Sequence, residues 1–269
     1  MNPTFPKQDT NSPVNKYRTI IDENGLPYIN RVLIGTPVTG LVRIEWVGAR
    51  YGQVIPMNWS YLYMNQFINS YMPLRYQVAD AQNLIVKHAI EKEMEWLLLV
   101  EHDVIMPPDT FMKINRYMLE EKVPVVSGLY FCRGRPSYPL VFRGRGNSIF
   151  TDWEMGDKVW CDGVPTGMLL IHMGIIREMW EDSEIYTVAN QETRRVFESP
   201  RNIWYDPEDP NHLGVFGGTS DLNWCNRVRE EGYFEKAGWT DYADKEYPFL
   251  VDTSIFCQHI NPDGELFPG

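Results

Sequence analysis

The sequence predicts an α/β fold in which helices flank a mixed, mainly parallel central sheet. Three observations carry this reading. Short apolar runs beginning at Val32, Trp96, Val123 and Met168 alternate with stretches whose apolar residues recur three and four apart, the pattern of strands and helices in succession. The run Trp96-Leu97-Leu98-Leu99-Val100 is apolar at every position, so it needs cover on both faces, as in a parallel sheet. A chain of 269 residues, 43% of them hydrophobic, has enough material for the core of one sizeable domain.

In chain order, residues 1–27 are rich in Asn, Pro, Thr and Lys and are expected to form a flexible arm. A single domain is expected over residues 28–269, in two parts that meet near residue 130. Arg31–Ile34 reads as the first strand, ended by Gly35, Thr36 and Pro37. Asn58 can cap a helix with Tyr61, Met64, Phe67 and Ile68 on one face, and Asp80 can cap another from Ala81 to about Met94. After the Trp96–Val100 strand, Pro108–Glu121 should be helical and Val123–Gly128 a short buried strand. The loop from Asp162 to Gly167 feeds a second apolar strand, Met168–Ile171. Ile185–Gly218 contains Pro200, Pro207 and Pro210 with little periodicity, which predicts a long irregular insertion. Thr219 or Ser220 should cap a helix with Leu222, Cys225 and Val228 in one stripe, ending at Gly232. Phe249–His259 is β-branched and aromatic, hence a strand ending in His259.

Composition narrows the classes. No run reaches membrane-span length and the leading residues do not resemble a signal peptide, so a cytoplasmic protein without membrane insertion is expected. Cys132, Cys161, Cys225 and Cys257 are widely spaced with no C-x-x-C pair, which favours reduced thiols over a zinc knuckle or a disulfide framework. The glycine-rich phosphate loops of Rossmann dehydrogenases and P-loop enzymes do not occur. The net charge of -11 is uneven: residues 178–269 carry 7 basic and 19 acidic side chains, residues 1–177 carry 18 and 17. Such a chain is a poor generic nucleic-acid binder. Even so, Arg133, Arg135, Arg143 and Arg145 gather around Pro136 and Gly144. They form a candidate cationic patch for a diphosphate or an anionic acceptor, against the plainer reading of a solvated hairpin.

The strongest chemical signal is Glu101-His102-Asp103, which follows the Trp96–Val100 strand directly. Carboxylates at i and i+2 of an extended segment point to one side, so both can approach one hard divalent cation whose shell a diphosphate completes. A helix cap accounts for Asp109 but not for Glu101. Asp221 falls in the first turn of its helix, where the dipole keeps it ionised. Besides capping, it could take the proton of an attacking hydroxyl. His259, at the end of a late strand, could complete a metal shell or be simply structural.

These stations, in this order, resemble the GT-A glycosyltransferases, especially the family 2-like group. That group carries a strand-terminal Asp-x-Asp, a small-residue loop with an apolar strand, an acidic pair opening a helix of the form Glu-Asp-x-x-x-x-x-Arg-x-x-x-x-Gly-Tyr, and a late strand ending in His. Glu101-His102-Asp103, Thr166-Gly167-Met168-Leu169-Leu170, Ser220-Asp221 through Arg227 and Gly232-Tyr233, and His259 match this series over about Val32 to His259. Glu101 stands in place of the first Asp and Ser220 in place of the usual acid. The resemblance implies a GT-A-type sheet with a Rossmann-like nucleotide-binding half, a UDP- or GDP-linked sugar donor, a hydroxyl acceptor, and Mn or Mg. It implies that Thr36, Pro37, Asp80, Asn83, Glu101, His102 and Asp103 contact the donor and that Glu101, Asp103 and His259 hold the metal. It further implies that Asp221 is the base and that Arg133, Arg135, Thr166 and Gly167 meet acceptor or phosphate. Three other readings compete. A sugar nucleotidylyltransferase lacks support because Gly35–Gly40 is too sparse in Gly and Arg. A non-catalytic carbohydrate-binding protein leaves Asp103, Asp221 and His259 without a joint purpose. An enzyme acting on modified bases in DNA has only the arginine cluster in its favour.

Overall fold

The computed structural model of the chain describes residues 32–56, 71–144, 148–205 and 213–269. Its strands are β1 (Val32–Gly35), β2 (Trp96–Val100), β3 (Val104–Ile105), β4 (Val125–Leu129), β5 (Lys158–Cys161), β6 (Met168–His172) and β7 (Ile185–Val188). They continue with β8 (Gln191–Arg194), β9 (Arg201–Tyr205), β10 (Leu213–Gly217), β11 (Phe249–Phe256), β12 (Gln258–Ile260) and β13 (Leu266–Phe267). Six of them build the central sheet in the order β1-β2-β6-β4-β11-β5. β1, β2, β4 and β11 share one direction, while β6, between β2 and β4, and β5, at the edge, run the other way. The sheet is therefore mixed, as expected, with an antiparallel strand inserted at its centre.

That inversion positions the site. The carboxyl ends of β1, β2 and β4 open on one edge of the sheet, where ligands of α/β folds bind. Because β6 runs backwards, the loop entering it, Thr166-Gly167, opens on the same edge. A small second sheet, β13-β12-β3, brings in the last contributor: β12 pairs antiparallel with β3, with His259 opposite Val104. The Ile260 N–H donates to the Asp103 carbonyl at 2.8 Å.

The apolar runs make both layers of the core. On β2, Leu97 and Leu99 join one buried cluster, while Trp96, Leu98 and Val100 join the other. The first cluster takes in Ile85 and Val86 of α2 (Val78–Glu91), Ile175 and Ile176 of α4 (Met173–Asp182) and Trp224 of α5 (Ser220–Glu230). The second is covered by Phe111, Ile114 and Met118 of α3 (Thr110–Glu120). A strand read as apolar throughout is thus one whose alternate residues serve opposite faces. Gly35 lets α2 close onto β1, since a Cβ there would lie 2.2 Å from Ile85 Cγ2.

Several expectations are corrected. Helix α2 begins at Val78, so Asp80 lies in its first turn and is not its cap. Asp109 precedes α3 without a side-chain capping bond and pairs instead with Lys113 at 2.9 Å. The late strand does not run unbroken to His259: its register shifts between Asp252 and Phe256, and it gives way to β12 after Cys257. The expected irregular insertion contains two antiparallel hairpins, β7–β8 and β9–β10. The first turns on Ala189 and Asn190, both at positive φ, the backbone of a tight hairpin turn. Its strands are mostly exposed, so they bury too little to leave an apolar alternation in the sequence. The N-terminal arm, the helix assigned to Asn58 onward and Arg145 lie outside the described residues. Among the described residues the four cysteines are free, and no helix is long and apolar enough to cross a membrane.

Candidate active site

Glu101, Asp103 and His259 converge at the carboxyl edge, with one ligand atom from each lying within 4.8 Å of the others. The β3–β12 ladder makes this meeting obligatory, because it fixes His259 beside the backbone that carries Asp103. His259 Nδ1 faces the Phe131 carbonyl, which can only accept, so Nδ1 carries the hydrogen and Nε2 keeps its lone pair. Burial pushes the imidazole down to about 4, so at neutral pH it is uncharged. A neutral imidazole oriented by a carbonyl on its far nitrogen is the usual form of a histidine ligand. Asp103 Oδ1 is buried without a hydrogen-bond partner, while Oδ2 is held by Arg133. An orphaned carboxylate oxygen, a second carboxylate and a neutral imidazole fit a divalent cation such as Mn or Mg.

Glu101 is shifted in the opposite direction to His259. Burial, helped by the charge of Asp221, pushes it up to about 7, against the opposing effects of Thr166 and Arg133. A hydrogen-bonded chain sets its orientation: Gln82 Nε2 donates to Thr166 Oγ1 at 3.0 Å, and that hydroxyl donates to Glu101 Oε1 at 3.0 Å. Trp46 on α1 (Ile44–Tyr51) donates to the Glu101 carbonyl at 2.9 Å. Asp221 reaches the group from the first turn of α5, its Oδ1 accepting from the Leu222 N–H at 2.8 Å. Its pKa is raised by burial, opposed by the Thr219 hydroxyl and by the backbones of Leu222 and Thr166. Two half-buried carboxylates with raised pKa values at one cleft form a recognisable functional signature.

A pocket lined by Pro37, Val38, Thr39, Tyr76, Val78, Glu101, His102 and Asp103 adjoins the cluster. His102 shapes its wall: Nδ1 donates to the Pro37 carbonyl at 3.1 Å, and Nε2 accepts from the Thr39 hydroxyl at 3.0 Å. The same histidine therefore ties the loop after β1 to the end of β2. Thr36 is buried below that loop.

The remaining sequence candidates part company. Asn83 donates to Tyr186 Oη and the Phe197 carbonyl and accepts from the Phe197 N–H, each at 2.8 Å, so its amide is committed to docking the β7–β8 hairpin. Asp80 accepts from the same Tyr186 hydroxyl at 2.9 Å. The arginines do not share one patch: Arg133 enters the carboxylate cluster and Arg135 pairs with Glu265. Arg143 donates to the Trp160 carbonyl at 2.6 Å and stacks on Phe150 and Tyr247. Gly167 has a packing duty, since a Cβ there would fall 2.5 Å from Cζ and Oη of Tyr130. Sequence reading missed Tyr130, Gln82 and Tyr76. Tyr130 accepts from the Gly167 N–H, packs edge-on to His259 and has its pKa raised by burial and by Glu101 and Asp221. Its place immediately after β4 was the available signal. For Gln82 the signal was an amide standing between the apolar Ala81 and Leu84 of one helix.

No protein-family model matches this chain, and no curated protein sequence matches it. Solved structures resemble it loosely. A197 from STIV aligns over 88% of this chain and 92% of its own, at 16% identity and a TM-score of 0.46. The 1–349 fragment of S. aureus TarS, crystallised with UDP, aligns over 58% of this chain and 50% of its own, at 11% identity and a TM-score of 0.35. UDP-glucose pyrophosphorylase from Leishmania major, crystallised as a mutant with UDP-glucose, aligns over 77% of this chain and 62% of its own, at 9% identity and a TM-score of 0.34. Similarity at this level carries no inference about activity.

Proposed function

We propose that this chain is a metal-dependent glycosyltransferase of GT-A type that moves a sugar from a nucleoside-diphosphate sugar to a hydroxyl acceptor. The observation that carries the reading is the convergence of Glu101, Asp103 and His259 within 4.8 Å at the carboxyl edge of the sheet. Asp221 beside them supplies a carboxylate with a raised pKa. Glu101, Asp103 and His259 would hold Mn or Mg, which when bound offsets the charge of the departing nucleoside diphosphate.

The protein's own residues do the rest. The pocket walled by Pro37, Val38, Thr39, Tyr76 and Val78 receives the nucleoside, placing its diphosphate toward Asp103. The Gln82–Thr166 chain keeps Glu101 in position. Asp221 accepts the proton of the acceptor hydroxyl as its oxygen bonds to the sugar carbon and the bond from that carbon to the diphosphate oxygen breaks. A carboxylate whose proton affinity is raised by burial suits that role, which is worth about 10²–10⁴ in rate. The test is a panel of UDP- and GDP-sugars incubated with the protein and Mn, Mg or EDTA. Metal-dependent release of UDP or GDP, lost in Asp103→Asn, is expected. Release unaffected by EDTA, or no release from any donor, would overturn the proposal. Pyrophosphate release from a nucleoside triphosphate would favour nucleotidyl transfer instead.

A further inference from the structure

Arg133 closes the carboxylate cluster by pairing with Asp103 Oδ2. Its side chain is 38% exposed and that of Asp103 22%, so the guanidinium reaches in from the solvent side and has room to withdraw. Among the described residues it is also the cation whose charge acts on Glu101, His102 and His259. One side chain thus offsets the charge of the two carboxylates and disfavours protonation of the two histidines beside them. Arg135 and Arg143 have other partners, Glu265 for one and the Trp160 carbonyl with two aromatic rings for the other.

A divalent cation held by Glu101, Asp103 and His259 would lie within a few ångströms of that guanidinium, where like charges repel. It would bind the carboxylate whose other oxygen Arg133 now holds, so metal and guanidinium would share Asp103. The arriving diphosphate, added to Glu101, Asp103 and Asp221, carries more negative charge than one divalent ion offsets. A displaced guanidinium beside it can fork onto two phosphate oxygens.

We propose that Arg133 is an exchangeable counter-ion, bound to Asp103 until metal displaces it and then transferred to the donor diphosphate, so that metal and donor bind cooperatively. The inference rests on the donor reading above. Coupling of this kind is reciprocal: donor must tighten metal by the factor by which metal tightens donor. The measurement is Mn binding to the full chain, by electron paramagnetic resonance and calorimetry, with and without UDP or GDP, in the wild type, Arg133→Gln and Arg133→Lys. In Arg133→Gln, Mn alone should bind about fivefold to tenfold tighter, because it no longer displaces an ion pair. Nucleotide at saturating Mn should bind at least about tenfold weaker, and the coupling factor should fall toward one. Arg133→Lys keeps the charge without the fork, so it should leave Mn affinity near wild type while still weakening nucleotide. It also serves if the Gln variant folds poorly. Unchanged or weaker Mn affinity in Arg133→Gln, or unchanged coupling, overturns the exchange while leaving the donor reading intact. A wild type that binds neither Mn nor nucleotide overturns both.

Discussion

Replacing Glu101 with Gln should stabilise the metal-free protein at pH 8 and leave it nearly unchanged at pH 4.5. Burial and the charge of Asp221 lift this carboxyl from its ordinary 4.5 to about 7. A carboxyl whose folded pKa exceeds its unfolded one holds its proton more tightly in the folded protein. Stability is then highest below about pH 4.5 and declines as pH rises through about 7. The gap corresponds to about 3 kcal/mol at most, lost from the wild type at pH 8 and recovered in the variant. Gln keeps an oxygen for the Thr166 hydroxyl, so the hydrogen-bonded chain from Gln82 is retained. For a chain of this size that is about 6–10 °C in Tm at pH 8. His259 works in the opposite direction: pushed down to about 4, it makes stability rise as pH climbs from about 4 to its ordinary 6.5. The two slopes oppose each other in the wild type, so removing the Glu101 slope should make the variant's Tm rise more steeply with pH than that of the wild type. Differential scanning calorimetry in EDTA between pH 4.5 and 8 reads this directly. A Tm difference between variant and wild type that is the same at pH 5 and pH 8 would refute the claim that Glu101 is held against its ionisation.

The other predictions address the parts of the site separately. Asp221→Asn should lower turnover by about 10²-fold or more while nucleotide affinity stays near wild type and Tm does not fall; a lowered Tm with the rate intact would make Asp221 a helix-start residue only. Gln82→Met should weaken Mn binding about tenfold by freeing Thr166 and with it Glu101, and unchanged Mn affinity would remove Gln82 from the site's support. Gly167→Ala should cost about 1–3 kcal/mol, because its Cβ would overlap the Tyr130 ring; an unaltered Tm would contradict that close approach.

Local pattern alone determined the core strands and the position of two carboxylates of the candidate site. Trp96–Val100 is apolar at every residue and buried at every residue, and the carboxylates just beyond it stand at the ligand-binding edge because that is where such a strand ends. The stripe of Cys225 and Val228 likewise announced α5, and with it the place of Asp221. These features depend on neighbours in sequence, so the sequence displays them. The β7–β8 hairpin was hidden because exposed strands bury little and leave no alternation, and its Ala189-Asn190 turn lacks the usual glycine. Asn83, a donor contact only by resemblance, and Arg143, read as one of a cationic patch, have partners that the sequence did not announce: Phe197, more than one hundred residues away, for the first and a ring stack for the second. Only the tertiary structure could decide that His259 meets Asp103, that Gln82 acts through Thr166 on Glu101, and that Arg133 enters the cluster while Arg135 leaves it. The first is set by the register of β12 on β3 and the second by the backward run of β6, and register between distant segments is a property of packing that no local stretch of sequence encodes.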